Sequence, residues 1–168
     1  MSEQQDQPKK KSRVDWRVKV GFVVVAVAVS VLIYMRQTAE PKLPGWGTDL
    51  QAALRQAKEK GTKVLVLFTE SPMSHWDRRL VTDTLNKPST SLKAMNHLGY
   101  PRVHLSVRKH KDVAERYGAT SPPFLLLLDA DGKALKKHAG FLTDLSFCGD
   151  FLEVSLSQIE EQQQGPKR

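Results

Sequence analysis

Hydrophobic and polar positions fall into sharply different patterns along the chain. From Val20 to Met35 the sequence reads VGFVVVAVAVSVLIYM, an apolar run in which Ser30 is the one frankly polar residue. Such a run has no polar face and predicts a helix that is apolar all round. It rises roughly 24 Å, and Lys19 and Arg36 can snorkel at its ends to extend it across a ~30 Å hydrocarbon layer. Residues 20–36 are therefore expected to form a single transmembrane helix. A buried core helix is the bland alternative, but uncharged runs beside a basic cluster are rare in small soluble domains. A cleaved signal peptide would need small residues in an A-x-A-like arrangement after the run, and Arg36 to Glu40 match that poorly. An uncleaved signal anchor fits better.

Beyond a Pro- and Gly-rich linker, residues 37–45, the pattern becomes that of a folded domain over residues 46–160. Thr48 and Gln51 form a capping-box pattern ahead of Leu50, Ala53, Leu54 and Ala57, and Gly61 stops that helix. Val64 to Phe68, VLVLF, predicts a strand buried on both faces. Ser71 and Pro72 read as N-cap and first-turn residues of a second helix carrying Met73, Trp76, Leu80 and Leu85. Ser89 is expected to cap a third, which Gly99 ends. Val103, Leu105 and Val107 alternate with polar neighbours at strand period. A short helix from about His110 to Tyr117 follows. Phe124 to Leu128 is a second fully apolar strand, and Asp129 to Gly132 turn it into a hairpin with residues 133–138. A last helix is expected from about Asp144 to Ile159, with a polar tail at residues 161–168.

Charge adds direction to this picture. Residues 1–19 hold six basic and three acidic residues, residues 20–35 none, and the whole chain carries +8. The excess of Lys and Arg before the apolar run predicts a cytoplasmic tail and an exported domain, periplasmic if the source is bacterial. At 40% hydrophobic and 26% charged residues the composition fits a folded domain rather than a disordered or polytopic chain. One cysteine, Cys148, leaves no internal disulfide, no Cys-only zinc site and no dithiol.

The order of elements is a βαβ unit followed by ββα around a mixed sheet, which is α/β. Three stretches carry a resemblance: Trp46-x-x-Asp49-Leu50 leading to Gly61-Thr-Lys-Val-Leu-Val-Leu-Phe68, the Tyr117-Gly118-Ala119 to Pro123 run, and Leu128-Asp-Ala-Asp-Gly-Lys133. Together they resemble the thioredoxin-like family of exported bacterial proteins. The resemblance implies a central mixed sheet flanked by helices, and places Met73 and Trp76 at the two cysteine positions of the redox-active members, with Ser74 and His75 between. Thiol exchange needs a thiolate and a resolving thiol, which a thioether and an indole cannot replace. Pro123 occupies the position that resembles the family's cis-proline. The resemblance therefore implies a partner-binding groove of Met73, Ser74, His75, Trp76, Pro123 and Phe124, able to take extended polypeptide without cysteines. The alternative is that Met73 and Trp76 simply pack inward at helical spacing.

Other chemistry finds little support. The histidines at 75, 97, 104, 110 and 138 have no ligand spacing, so no metal is expected, and no cofactor motif is present. Ser74 and His75 are helix neighbours splayed about 100° apart and do not form a nucleophile and base. Arg108 to Lys111 is a basic run without interleaved aromatics, so no nucleic acid is expected. The functional expectation is a redox-inactive thioredoxin-like domain, tethered in lipid through residues 20–36, that binds or scaffolds an exported or membrane protein during folding or assembly. Two alternatives stand beside it. One is a thiol–disulfide oxidoreductase or peroxidase using Cys148 alone; the other is a structural membrane subunit. Cys148 itself reads either as a small buried hydrophobe or as a reactive thiol.

Overall fold

A computed structural model describes residues 16–38, 40–155 and 157. The first fifteen residues of the expected basic tail, most of the end of the expected last helix and the polar tail 161–168 lie outside the described residues. Two compact units are present, divided between Ala39 and Glu40.

The first unit holds helix α1, Trp16–Thr38. Its Ser30 hydroxyl donates to the Ala26 carbonyl at 2.8 Å, so the helix satisfies its own polar side chain. Among the described residues no helix is long and apolar enough to cross a membrane. The expected span is thus helical, but a transmembrane helix is not supported on those residues.

The second unit is built on a four-stranded sheet. Strands β1 (Val64–Thr69), β2 (Arg102–Ser106), β3 (Phe124–Leu128) and β4 (Ala134–Ala139) lie in the order β2-β1-β3-β4. β1 is central and runs parallel to β2, with Val66 opposite Val103, and antiparallel to β3, with Val66 opposite Leu126. β3 and β4 form the expected hairpin, with Asp129 Oδ1 accepting from the amides of Asp131 and Lys133. Side-chain alternation divides the sheet into two core layers. Leu65, Leu67, Leu125 and Leu127 face one layer with Met73, Leu80, Leu85, Met95, Phe147 and Phe151. Val64, Val66, Phe68, Leu126 and Leu128 face the other with Leu50, Ala57, Ala114 and Tyr117. Both layers are filled, which is why β1 and β3 read as continuous apolar runs.

Helices α2 (Leu50–Lys60) and α5 (Lys111–Tyr117) cover the second layer. Helices α3 (His75–Arg79), α4 (Ser91–Leu98) and α6 (Asp144–Ser146) belong to the first, α3 and α6 each running on into a π-helical segment, Leu80–Leu85 and Phe147–Phe151. Several expected boundaries move. Asp49, not Thr48, caps α2, its Oδ1 accepting from the amides of Gln51 and Ala52. Gly61 ends that helix at φ 62, a left-handed conformation that costs glycine little. α4 starts at Ser91 behind Thr90, not behind Ser89. The helical run from Asp144 ends at Phe151 with Leu152 as its cap, and residues 152–155 are not helical: Glu153 takes a positive φ of 58, and its carboxylate pairs with Lys136, while Ile159 lies outside the described residues. The π-helical turn brings Phe147, Cys148 and Phe151 into the core together.

Candidate functional site

The segment from Thr69 to Arg79 joins β1 to α3 and carries the positions singled out in the sequence. It is organised by Asp77. Asp77 is fully buried, and its Oδ2 accepts from the Ser74 amide and hydroxyl, both at 2.8 Å, and from the Glu70 amide at 3.1 Å. The Asp77 amide in turn donates to Ser74 Oγ at 3.2 Å, completing a reciprocal capping box. The helix therefore starts at His75 behind Ser74, three residues later than the Ser71–Pro72 signal implied. Ser74-x-x-Asp77 was visible in the sequence as a cap pattern, but Pro72 gave the stronger apparent start. The Ser71–Pro72 and Pro122–Pro123 peptide bonds are both cis, the second as the resemblance implies.

Around the turn lies a small polar group. The Met73 amide donates to Glu40 Oε1 at 3.0 Å, and Arg78 Nε donates to the Met73 carbonyl at 3.3 Å. Thr69 Oγ1 donates to the Glu70 carbonyl and lies 2.8 Å from His104 Nε2. Burial pulls the His104 pKa below the ordinary histidine value; the charges of Glu40 and Asp77 oppose that shift and His110 adds to it.

The six expected groove residues do not form one surface. Met73 is 6% exposed and packs into the core layer shared with Leu80, and Phe124 is 5% exposed with its ring edge-on to Phe68 at 6.3 Å. Pro123 is also buried, and its carbonyl accepts from the Gly140 amide at 2.7 Å. Ser74 is spent in the capping box. Since residues 122 and 123 are both proline, neither can offer an N–H to an extended peptide, so that part of the expected capture by backbone pairing is lost.

Exposed at the front are His75 and Trp76, the latter 52% exposed. Two residues that the sequence did not point to complete the face. The Arg79 guanidinium lies 5.7 Å from the Trp76 ring centroid and 5.0 Å from that of Phe141, and its Nε is 3.4 Å from Asp83 Oδ2. The Trp76 and Phe141 centroids are 6.5 Å apart, and His75 meets Trp76 edge-on at 5.4 Å. The i, i+3 spacing of Trp76 and Arg79 could have been read from the sequence, whereas the approach of Phe141 depends on the fold. An exposed arginine that contacts two aromatic rings has the composition of an interface hot spot.

Cys148 is elsewhere in the core. It is 1% exposed, with its Sγ 3.9 Å from Ser91 Oγ. Burial pushes its thiol pKa up; the Ser91 contact opposes this and the charge of Asp144 adds to it. A protonated, enclosed thiol is a poor nucleophile. Among the described residues no group of three or more His, Cys, Asp or Glu side chains is placed to hold a metal ion.

No family model and no curated protein matches the chain. Solved structures do. A thioredoxin from Thermus thermophilus is 19% identical, covers 70% of this chain and 88% of its own, and superposes with a TM-score of 0.54. The reduced C-terminal domain of DsbD from Neisseria meningitidis is 20% identical, with coverage of 67% and 92% and a TM-score of 0.48. A DsbH oxidoreductase is 18% identical, with coverage of 73% and 99% and a TM-score of 0.49. At these identities the likeness is one of fold. The domain from Glu40 onward is thioredoxin-like, with a mixed four-stranded sheet and flanking helices.

Proposed function

We propose that this chain is a redox-inactive, membrane-tethered thioredoxin-like domain that docks an exported or membrane protein through its α3 face. The observation that carries the reading is Trp76. At a position where the redox-active members carry a cysteine, the chain presents a half-exposed indole with the Arg79 guanidinium over its ring and the Phe141 ring tilted beside it. The adjoining turn is closed by a capping box, and the one thiol is buried elsewhere. These features favour recognition by side chains over thiol exchange. Aromatic and arginine side chains supply the contact, and the Pro122–Pro123 pair removes backbone donors that a general peptide groove would use.

The tether is supported by the uncharged run 20–35 and by the excess of basic residues before it. With an N-terminal cytoplasmic tail the domain would be exported. Confinement to the membrane would raise its effective concentration beside membrane partners without any added contact.

Co-purification from crosslinked native membranes tests the reading. Trp76→Ala is expected to lose the bound protein while keeping the fold. Unchanged recovery with Trp76→Ala and with Arg79→Ala would remove the α3 face as the docking surface. Phe124→Ala is not a usable probe, because emptying that buried site costs about 3–5 kcal/mol of stability.

A further inference from the structure

Arg102 begins β2 at the edge of the sheet. Its side chain has no hydrogen bond and no ion pair among the described residues, and its Nη1 is buried without a partner. Burial lowers the guanidinium pKa from its ordinary value, and no neighbouring carboxylate offsets that. Arg102 is half-buried as a whole, but a guanidinium nitrogen enclosed without a partner is costly. Among the described residues no carboxylate pairs with it. Asp49 lines the same cleft; its Oδ1 accepts from the amides that open α2, and it makes no ion pair with Arg102.

The cleft has a volume of about 410 Å³ and runs between α2 and the edge of β2, with Gly45, Gly47, Gln56, Tyr100 and Arg102 along its walls. Gly47 bridges to Val103 and so covers the edge of β2 with a single residue. At Gly45 an added Cβ would lie 3.1 Å from Arg102 Nη2, and φ there is +77. Glycine at that position keeps the guanidinium edge free of side-chain bulk. Gln56 places a neutral amide on the α2 wall.

We propose that this cleft is an oxyanion site in which Arg102 receives the carboxylate or phosphate group of a ligand. The planar fork of arginine donors matches both groups, and the charge of either would compensate the unpaired guanidinium. The site lies apart from Trp76 and does not depend on the docking reading.

The test uses the full-length chain in a neutral maltoside detergent. Its unfolding temperature is followed against sodium phosphate and, separately, sodium acetate, with sodium chloride at matched ionic strength as the reference. Saturable stabilisation by either anion beyond chloride is expected. Arg102→Lys, which keeps the charge but loses the fork, should need at least about tenfold more anion for the same effect. Arg102→Met should abolish it, and if that variant fails to fold, Arg102→Lys carries the test. Response to phosphate alone assigns a phosphate group and response to acetate alone a carboxylate. Absence of any shift beyond chloride, or an equal shift in Arg102→Lys, would overturn the proposal.

Discussion

The amide and the hydroxyl of Ser74 converge on a single oxygen, Oδ2 of Asp77, each at 2.8 Å. The turn that resembles a thiol site is thus tied together by a buried carboxylate. Replacing Asp77 by Ala strands the donors of Ser74 and Glu70 and should cost about 3 kcal/mol or more. Asp77→Asn keeps an acceptor and should cost about 1–2 kcal/mol. Chemical denaturation of both variants checks this, and a loss under about 1 kcal/mol for Asp77→Ala would contradict the assigned role.

Cys148 should be inert in the folded protein. At pH 8 it is expected to resist iodoacetamide and to react fully once the chain is unfolded. Insulin reduction with dithiothreitol and peroxide consumption should be unchanged in Cys148→Ala. Labelling of the native thiol at the rate of a free cysteine, or an activity lost in that variant, would restore the enzyme alternative.

The His104 environment predicts a pH effect of definite sign. Burial depresses its pKa, so on acidification the unfolded chain takes up this proton before the folded one does. The stability due to the neutral ring is present above the ordinary value of about 6.5 and is lost as pH falls toward the depressed one. The unfolding temperature should therefore drop between pH 7.5 and 5.5. His104→Gln can still hydrogen-bond Thr69 but cannot titrate, so its curve should be flatter. An equal slope in the two proteins would rule out His104 as the cause.

The tether makes a separate prediction. After alkaline carbonate washing the full chain should stay with the membrane pellet, and a chain lacking residues 20–36 should be released. Release of the full chain would show that the apolar run is not inserted.

The strands were the most legible part of the fold, because VLVLF and FLLLL are long enough and apolar enough to require cover on both faces. Helix ends were less so. Ser71–Pro72 and Ser74-x-x-Asp77 both look like starts, and the second prevails because Asp77 becomes buried where only Ser74 and Glu70 can satisfy Oδ2. The last helix was overextended because helical spacing in the sequence does not register the π-helical turn at Phe147–Phe151 or the left-handed Glu153. At the site, the missing cysteines could be read directly, but the exposed face could not. Met73 and Phe124 are attractive as surface residues until the two core layers claim them. The partnership of Arg79 with Phe141 joins α3 to the segment after β4, and the unpaired state of Arg102 emerges only once β2 lies at the sheet edge.

The central claim is that Trp76 faces a protein partner, and site-specific photo-crosslinking in intact native membranes tests it most directly. A benzophenone amino acid placed at position 76 should give a discrete adduct with an exported or membrane protein, and Arg79→Ala in the same chain should weaken that adduct. The same probe at Glu59, exposed on α2 over the other face of the sheet, should not form it. Identical adducts from positions 76 and 59, or none at 76 in membranes where the chain is folded, would contradict the account.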